Sequence, residues 1–238
     1  MKVYGGILAG GIGSRMQNEG GLPKQLIKVG GVPVLIRTIQ AFLSFEKIDH
    51  IFVAMNIEWL DYARKLIVEG GMDRSRVELI DGGETRFDSL ISLARASSDR
   101  SNGEQCVLIN HDCARPFVSQ RIISDCLEAM RNYDMVTTSI PTIDTVLISG
   151  DGKRSDSVPD RRTVFCDQGP QAFIVNQFLD IVGGLTPQEK SRYMEAGRLY
   201  LDRDLSVGIV QGERTNFKLT TPFDMVLAES MIKEGIIK

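Results

Sequence analysis

Over the first two-thirds of the chain, short apolar runs alternate with stretches of helical periodicity. Val3–Leu8 predicts a strand that breaks into Ala9-Gly10-Gly11-Ile12-Gly13-Ser14-Arg15. Pro33 opens a helix, because its fixed φ suits a first turn, and Leu35, Ile36, Ile39, Phe42 and Leu43 share one face. His50–Ala54 reads as the next strand. Trp59, Ala63, Leu66 and Ile67 stripe a helix closed by Gly70-Gly71. Val77–Ile80 predicts a strand running into Asp81-Gly82-Gly83, and Phe87, Leu90, Ile91 and Ala94 mark another helix. Cys106–Asn110 is an apolar strand ending at His111-Asp112. Ile122, Ile123, Cys126, Leu127 and Met130 follow at helical spacing.

Strand–helix alternation with continuously apolar strands predicts an α/β fold of three layers, a mostly parallel sheet covered by helices on both faces. Ligands of such sheets bind outside the carboxyl ends of the strands. The glycine loop, Asp81–Glu84 and His111-Asp112 all follow strand ends, so they are expected on one rim.

The pattern changes between Pro141 and Pro170. Asp144–Ile148 and Thr163–Cys166 flank a polar turn at Ser149–Asp160, which predicts two antiparallel strands protruding as a β-arm. A two-stranded ribbon is marginal in water, so a partner chain is expected to cover it. The remainder predicts helices at Val175–Gly183 and Pro187–Arg198, a strand at Ser206–Gln211, an extended Asn216–Thr221 with Lys218 on a late strand, and a last helix from Pro222. The organisation expected is one domain over 1–238 with a dimerisation arm at about 142–166.

Composition narrows the partners. A chain of 238 residues, 42% apolar and 25% charged, buries a full core without disulfides or structural metal. With 28 Lys+Arg against 31 Asp+Glu the net charge is −3, unsuited to coating duplex nucleic acid or an anionic membrane. No run approaches the roughly 18–20 apolar residues of a membrane span, and the glycine-rich opening does not read as a secretory leader. The four cysteines (Cys106, Cys113, Cys126, Cys166) form no C-x-x-C pair, and His50 and His111 are the only histidines. A zinc site is therefore not expected, and a cytoplasmic setting is.

The candidate chemistry sits in four segments. Leu8–Met16 is a glycine loop, with Pro23-Lys24-Gln25 close behind. It matches neither the dinucleotide fingerprint nor a Walker A loop. Arg15 and Lys24 beside it supply the cations that phosphoryl or nucleotidyl transfer needs against developing charge. In His111–Phe117, Asp112 can hold a magnesium ion or a ribose hydroxyl, and Arg115 can orient an anionic or hydroxyl-rich acceptor. Cys113 is expected to be inert, and a lone His111 reads as a strand-end residue. Gly82–Ser89 offers close backbone approach to a base and one hydroxyl, although an N-capped helix entry fits it equally. Lys218 in Asn216–Pro222 has no case from its own segment.

Together these motifs resemble the cytidylyltransferases that couple CTP to a polyol phosphate, namely the methylerythritol-phosphate enzyme of isoprenoid synthesis and the ribitol-5-phosphate enzyme of teichoic-acid pathways. Leu8–Met16, Pro23-Lys24-Gln25, Asp81–Arg86 with Ser89, His111–Pro116, Asp144-Thr145, Asp160-Arg161, Pro170-Gln171 and Asn216–Thr220 stand in family order. The resemblance implies a homodimeric, Mg²⁺-dependent nucleotidyltransferase. It implies CTP binding by Ala9, Gly10, Gly11, Gly83 and Ser89, with Gly13 shaping the loop. Arg15, Lys24 and Lys218 would stabilise the pentavalent α-phosphate, and Asp112 would serve ribose and metal. Arg115 would bind the acceptor, while Thr145 and Arg161 would reach the partner's acceptor through the arm. Gly169 replaces the family's usual threonine, and Tyr193-Met194-Glu195-Ala196 replaces its Thr-Asp-Glu/Ala stretch. Tyr4–Gly11 and Leu185-Thr186-Pro187 resemble the ribitol branch more, making ribitol 5-phosphate the expected acceptor and methylerythritol phosphate the alternative. A non-catalytic nucleotide-binding relative is the reading from another class, against which Arg15, Lys24, Asp112 and Lys218 argue.

Overall fold

The computed structural model describes residues 1–11 and 22–237. In chain order, β1 (Lys2–Leu8) precedes a small ribbon of β2 (Lys28–Val29) and β3 (Val32–Pro33), then α1 (Val34–Leu43). The alternation continues through β4 (His50–Met55), α2 (Leu60–Glu69), β5 (Val77–Asp81), α3 (Arg86–Arg100), β6 (Cys106–Asp112) and α4 (Gln120–Ala129). The rest comprises β7 (Met135–Pro141), β8 (Phe165–Ile174), α5 (Val175–Gly183), α6 (Pro187–Lys190), α7 (Ala196–Leu201), β9 (Val207–Gln211) and α8 (Pro222–Lys233).

A seven-stranded sheet runs β5-β4-β1-β6-β8-β7-β9, and only β8 opposes its neighbours. Side chains alternate across it. Val3, Ile7 and Ile109 join α1, α2, α4 and α8 in one core, while Tyr4, Leu8 and Leu108 join α3, α5 and α7 in the other. Full burial of Leu35, Phe42 or Phe178 contributes about 1.5–3 kcal/mol each. This is the three-layer α/β arrangement that the alternation predicts. Because β5, β4, β1 and β6 are parallel, their carboxyl ends share one rim.

Four details differ from the sequence reading. Met135–Pro141 is a central strand that its Thr-Thr-Ser core conceals: Thr138 is buried, and its hydroxyl donates to the Pro170 carbonyl at 3.0 Å. The arm is not a two-stranded ribbon. Asp144–Ile148 forms no strand, and within the arm only Ile148 bridges Ser157. Phe165 and Cys166 instead pair with Pro141 and Ile140, because β8 runs unbroken into the main ladder. The helix expected at Pro187–Arg198 is two, since the Glu195 carboxylate accepts the Gly197 and Arg198 N–H groups and starts α7 afresh. Lys218 lies on irregular chain rather than a strand, fixed by the Leu219 N–H donating to the Ala114 carbonyl at 2.8 Å.

Candidate active site

At the rim, β1 ends in Ala9-Gly10-Gly11. The Gln25 side-chain amide donates to the Ala9 carbonyl at 2.5 Å and fixes the start of this turn. Among the described residues, a Cβ on Gly11 would meet nothing within 4 Å. Gly13 and Arg15 lie outside the described residues. Across the rim, Thr85 and Asp88 form a capping box that opens α3. A Cβ on Gly83 would stand 2.1 Å from that of Asp88, so no side chain fits. The Ser89 hydroxyl donates to the Thr85 carbonyl at 3.0 Å and accepts the Gly83 N–H at 3.1 Å. Ser89 therefore shapes the glycine turn and keeps one lone pair for a ligand.

Between the two turns lies a cleft of about 390 Å³, within the usual range for a small-ligand site. Asp112 forms its floor. Its Oδ1 accepts from Arg86 Nη2 at 3.1 Å and its Oδ2 from Lys218 Nζ at 2.7 Å, while Arg115 Nε stands 3.8 Å away. Burial alone would raise this carboxyl, but the Arg86, Lys218 and Arg115 cations outweigh it and hold Asp112 far below the ordinary carboxylate range. Lys24 donates to the Leu219 carbonyl at 3.2 Å, beside Lys218. With Lys24, Arg86 and Lys218 against Asp112 and Glu84, the cleft faces its ligand with a surplus of cations. Cys113 is buried, and burial pushes its thiol up to about 12, which leaves no nucleophile.

Behind Asp112, Arg115 donates to the Asn216 carbonyl at 2.9 Å, and the Asn216 amide donates to the Gly169 carbonyl at 2.8 Å. His111 Nε2 meets the Arg115 carbonyl at 2.9 Å. A carbonyl only accepts, so Nε2 carries the proton and Nδ1 presents a lone pair. Burial pushes His111 down to about 4, so the ring is neutral near pH 7. Residues distant in sequence (Ala9, Gly10, Gly11, Lys24, Gly83, Ser89, Asp112 and Lys218) therefore line one cleft, with Arg115 just behind it. Thr145 and Arg161 do not: both are exposed on the arm. Arg86 carried no expectation of its own, yet it binds Asp112 and also donates to the Met194 carbonyl at 2.7 Å. The available signal was its place just after the Gly82-Gly83 turn on the same rim.

A family model described as 2-C-methyl-D-erythritol 4-phosphate cytidylyltransferase, IspD, matches residues 4–234. The chain belongs to the IspD family. Its members are nucleotidyltransferases, and this chain is a CTP-dependent cytidylyltransferase of the IspD type. It is similar to 4-diphosphocytidyl-2C-methyl-D-erythritol synthase from Anaerococcus prevotii, at 25% identity over 98% of both chains and a TM-score of 0.77. The Thermus thermophilus 2-C-methyl-D-erythritol 4-phosphate cytidylyltransferase is 26% identical, covering 98% of this chain and 100% of that one, with a TM-score of 0.70. The Francisella tularensis IspD structure shares the fold at a TM-score of 0.79 and 23% identity, over 97% of this chain and 99% of that one. No helix among the described residues is long and apolar enough to cross a membrane.

Proposed function

We propose that this IspD-type enzyme transfers the cytidylyl group of CTP to 2-C-methyl-D-erythritol 4-phosphate. The observation that carries the chemistry is the meeting of Lys24, Lys218 and the Asp112 carboxylate between two glycine turns. An oxygen of the acceptor phosphate attacks the α-phosphorus in line, and the bond to the bridging oxygen breaks to release pyrophosphate. The attacking oxygen is already anionic, so no general base is needed. Lys24 and Lys218 neutralise charge on the pentavalent centre, and Arg15 is assigned the same task from the family resemblance. The glycine turns at Gly10-Gly11 and Gly82-Gly83 take the nucleotide by close backbone approach.

Mg²⁺ fits the donor set. Among the described residues no three His, Cys, Asp or Glu side chains cluster, which argues against an all-protein cage. A carboxylate together with substrate phosphates suits Mg²⁺, and Asp112 would hold it. Bound there, the ion would supply charge neutralisation on the triphosphate.

The family description and the names of the solved relatives support the methylerythritol acceptor. Ribitol 5-phosphate stays as a second reading, favoured by Tyr4–Gly11 and Leu185-Thr186-Pro187. Pyrophosphate release from CTP with each acceptor decides. A higher kcat/KM with methylerythritol phosphate supports the first reading, and the reverse order supports the second. The arm completes the proposal: exposed Ile143, Leu147, Ile148, Val158 and Phe165 need cover, which a symmetric dimer supplies while delivering Thr145 and Arg161 to the partner's acceptor.

A further inference from the structure

Behind Asp112 a second, much smaller cavity of about 20 Å³ is lined by Arg86, Asn110, His111, Arg115, Asp167 and Gln171 among others, room for one water-sized group. Four of its lining side chains bring buried atoms with no hydrogen-bond partner: His111 Nδ1, Gln171 Oε1, Asn110 Oδ1 and Arg115 Nε. The first three are acceptors and Arg115 Nε is a donor. Gly169, which has φ +63° and no side chain, would place a Cβ 3.5 Å from His111 Nδ1, so this side of the imidazole stays open. Asp167 adds a carboxylate. Its Oδ1 is held by the Thr137 hydroxyl, and no hydrogen bond reaches Oδ2 among the described residues. Glu195, by contrast, is spent capping α7 and accepting from the Gln171 amide at 3.0 Å.

Three acceptors beside an unpaired donor are complementary to a group that both donates and accepts. An ammonium group is disfavoured by the Arg86 and Arg115 guanidinium groups on the same wall, which leaves a neutral hydroxyl. The cavity adjoins the phosphate-facing cleft through Asp112 and Arg86, which line both. A hydroxylated chain whose phosphate lies among the cations can place one hydroxyl here. We propose that Asp167, backed by His111 Nδ1 and Gln171 Oε1, reads one hydroxyl of the acceptor and is a specificity-determining residue of this enzyme. The proposal rests on the polyol-phosphate reading above.

Steady-state kinetics at saturating CTP and Mg²⁺ test it, with methylerythritol phosphate, ribitol 5-phosphate and their singly deoxygenated analogues. Asp167→Ala should raise the KM of the acceptor that wild type uses about 10- to 100-fold, the value of a hydrogen bond to a charged group, while the KM of CTP stays within about twofold. The analogue lacking the hydroxyl that is read should be penalised by wild type and not penalised further by Asp167→Ala. Asp167→Asn keeps a carbonyl acceptor toward Thr137, and its KM should rise about threefold or more; this variant decides the matter if Asp167→Ala fails to fold. An unchanged acceptor KM in the folded variants, or a deoxy penalty undiminished by Asp167→Ala, overturns the assignment. No turnover by wild type with any polyol phosphate would overturn the reaction reading, and this subsite with it.

Discussion

Lys218 Nζ stands 2.7 Å from Asp112 Oδ2 across a separation of 106 residues. The strand end supplies the carboxylate and an irregular segment supplies the ammonium. The Leu219–Ala114 backbone hydrogen bond holds the two pieces of chain together. The pair is thus a product of topology, and it places a cation and its counter-charge where the proposed function puts the triphosphate of CTP.

Asp112→Asn and Lys218→Met should each lower kcat about 10²-fold or more, the usual loss when a charge-stabilising group goes. Lys218→Met should barely change the melting temperature, because Arg86 still pairs with Asp112. Thermal melts beside pyrophosphate-release rates separate the two effects. A melting temperature that falls in proportion to activity would make the pair structural.

Two glycines should respond in opposite ways. Gly83→Ala forces a methyl against Asp88 and should destabilise the fold by about 1–3 kcal/mol while weakening CTP binding. Gly11→Ala meets nothing among the described residues, so its stability should match wild type while the KM of CTP rises. Urea unfolding and CTP titration on both variants check this.

Stability should fall in mild acid through His111. Its folded-state value of about 4 lies below the ordinary 6.5, so the neutral ring is favoured in the fold. That contribution is fully present above pH 6.5 and is lost as pH falls toward 4, by about 3 kcal/mol at most. His50 is also lowered, by burial and by Arg100, and acts in the same direction. Urea unfolding between pH 7 and pH 4.5 should show a smaller decline for His111→Gln than for wild type. Equal declines would place the acid sensitivity elsewhere.

The proposed dimer has its own test. Arg161→Ala and Lys24→Ala chains, each inactive alone, should recover up to half the activity per mixed dimer, since one of its two sites keeps both residues. No recovery, with subunit exchange verified by mass spectrometry, would confine Arg161 to its own chain or remove it from catalysis.

Much of the fold was legible because apolar runs such as Val3–Leu8 and Cys106–Asn110 are buried on both faces and need no partner to be recognised. Met135–Pro141 escaped because Thr137 and Thr138 satisfy their hydroxyls against Asp167 and the Pro170 carbonyl, partners invisible along the chain. The arm misled for the converse reason. Val146-Leu147-Ile148 has the composition of a strand, but a ladder needs an aligned second strand, and the polar Ser155–Asp160 return containing Pro159 forms only one bridge with it.

At the site, the sequence by itself determined the kinds of group and the rim on which they gather, because strand–helix alternation sends every β1, β4, β5 and β6 carboxyl end to one side. It did not determine which cation meets which carboxylate. Only the tertiary structure decided that Arg86 and Lys218 share Asp112, that Ser89 spends its proton on its own loop, and that His111, Gln171 and Asp167 surround one small cavity. Strand order fixes where a side chain begins, but charge pairing and hydrogen-bond satisfaction are settled by neighbours brought together through packing. Those neighbours lie 26 and 106 residues away from Asp112, beyond the reach of any local pattern.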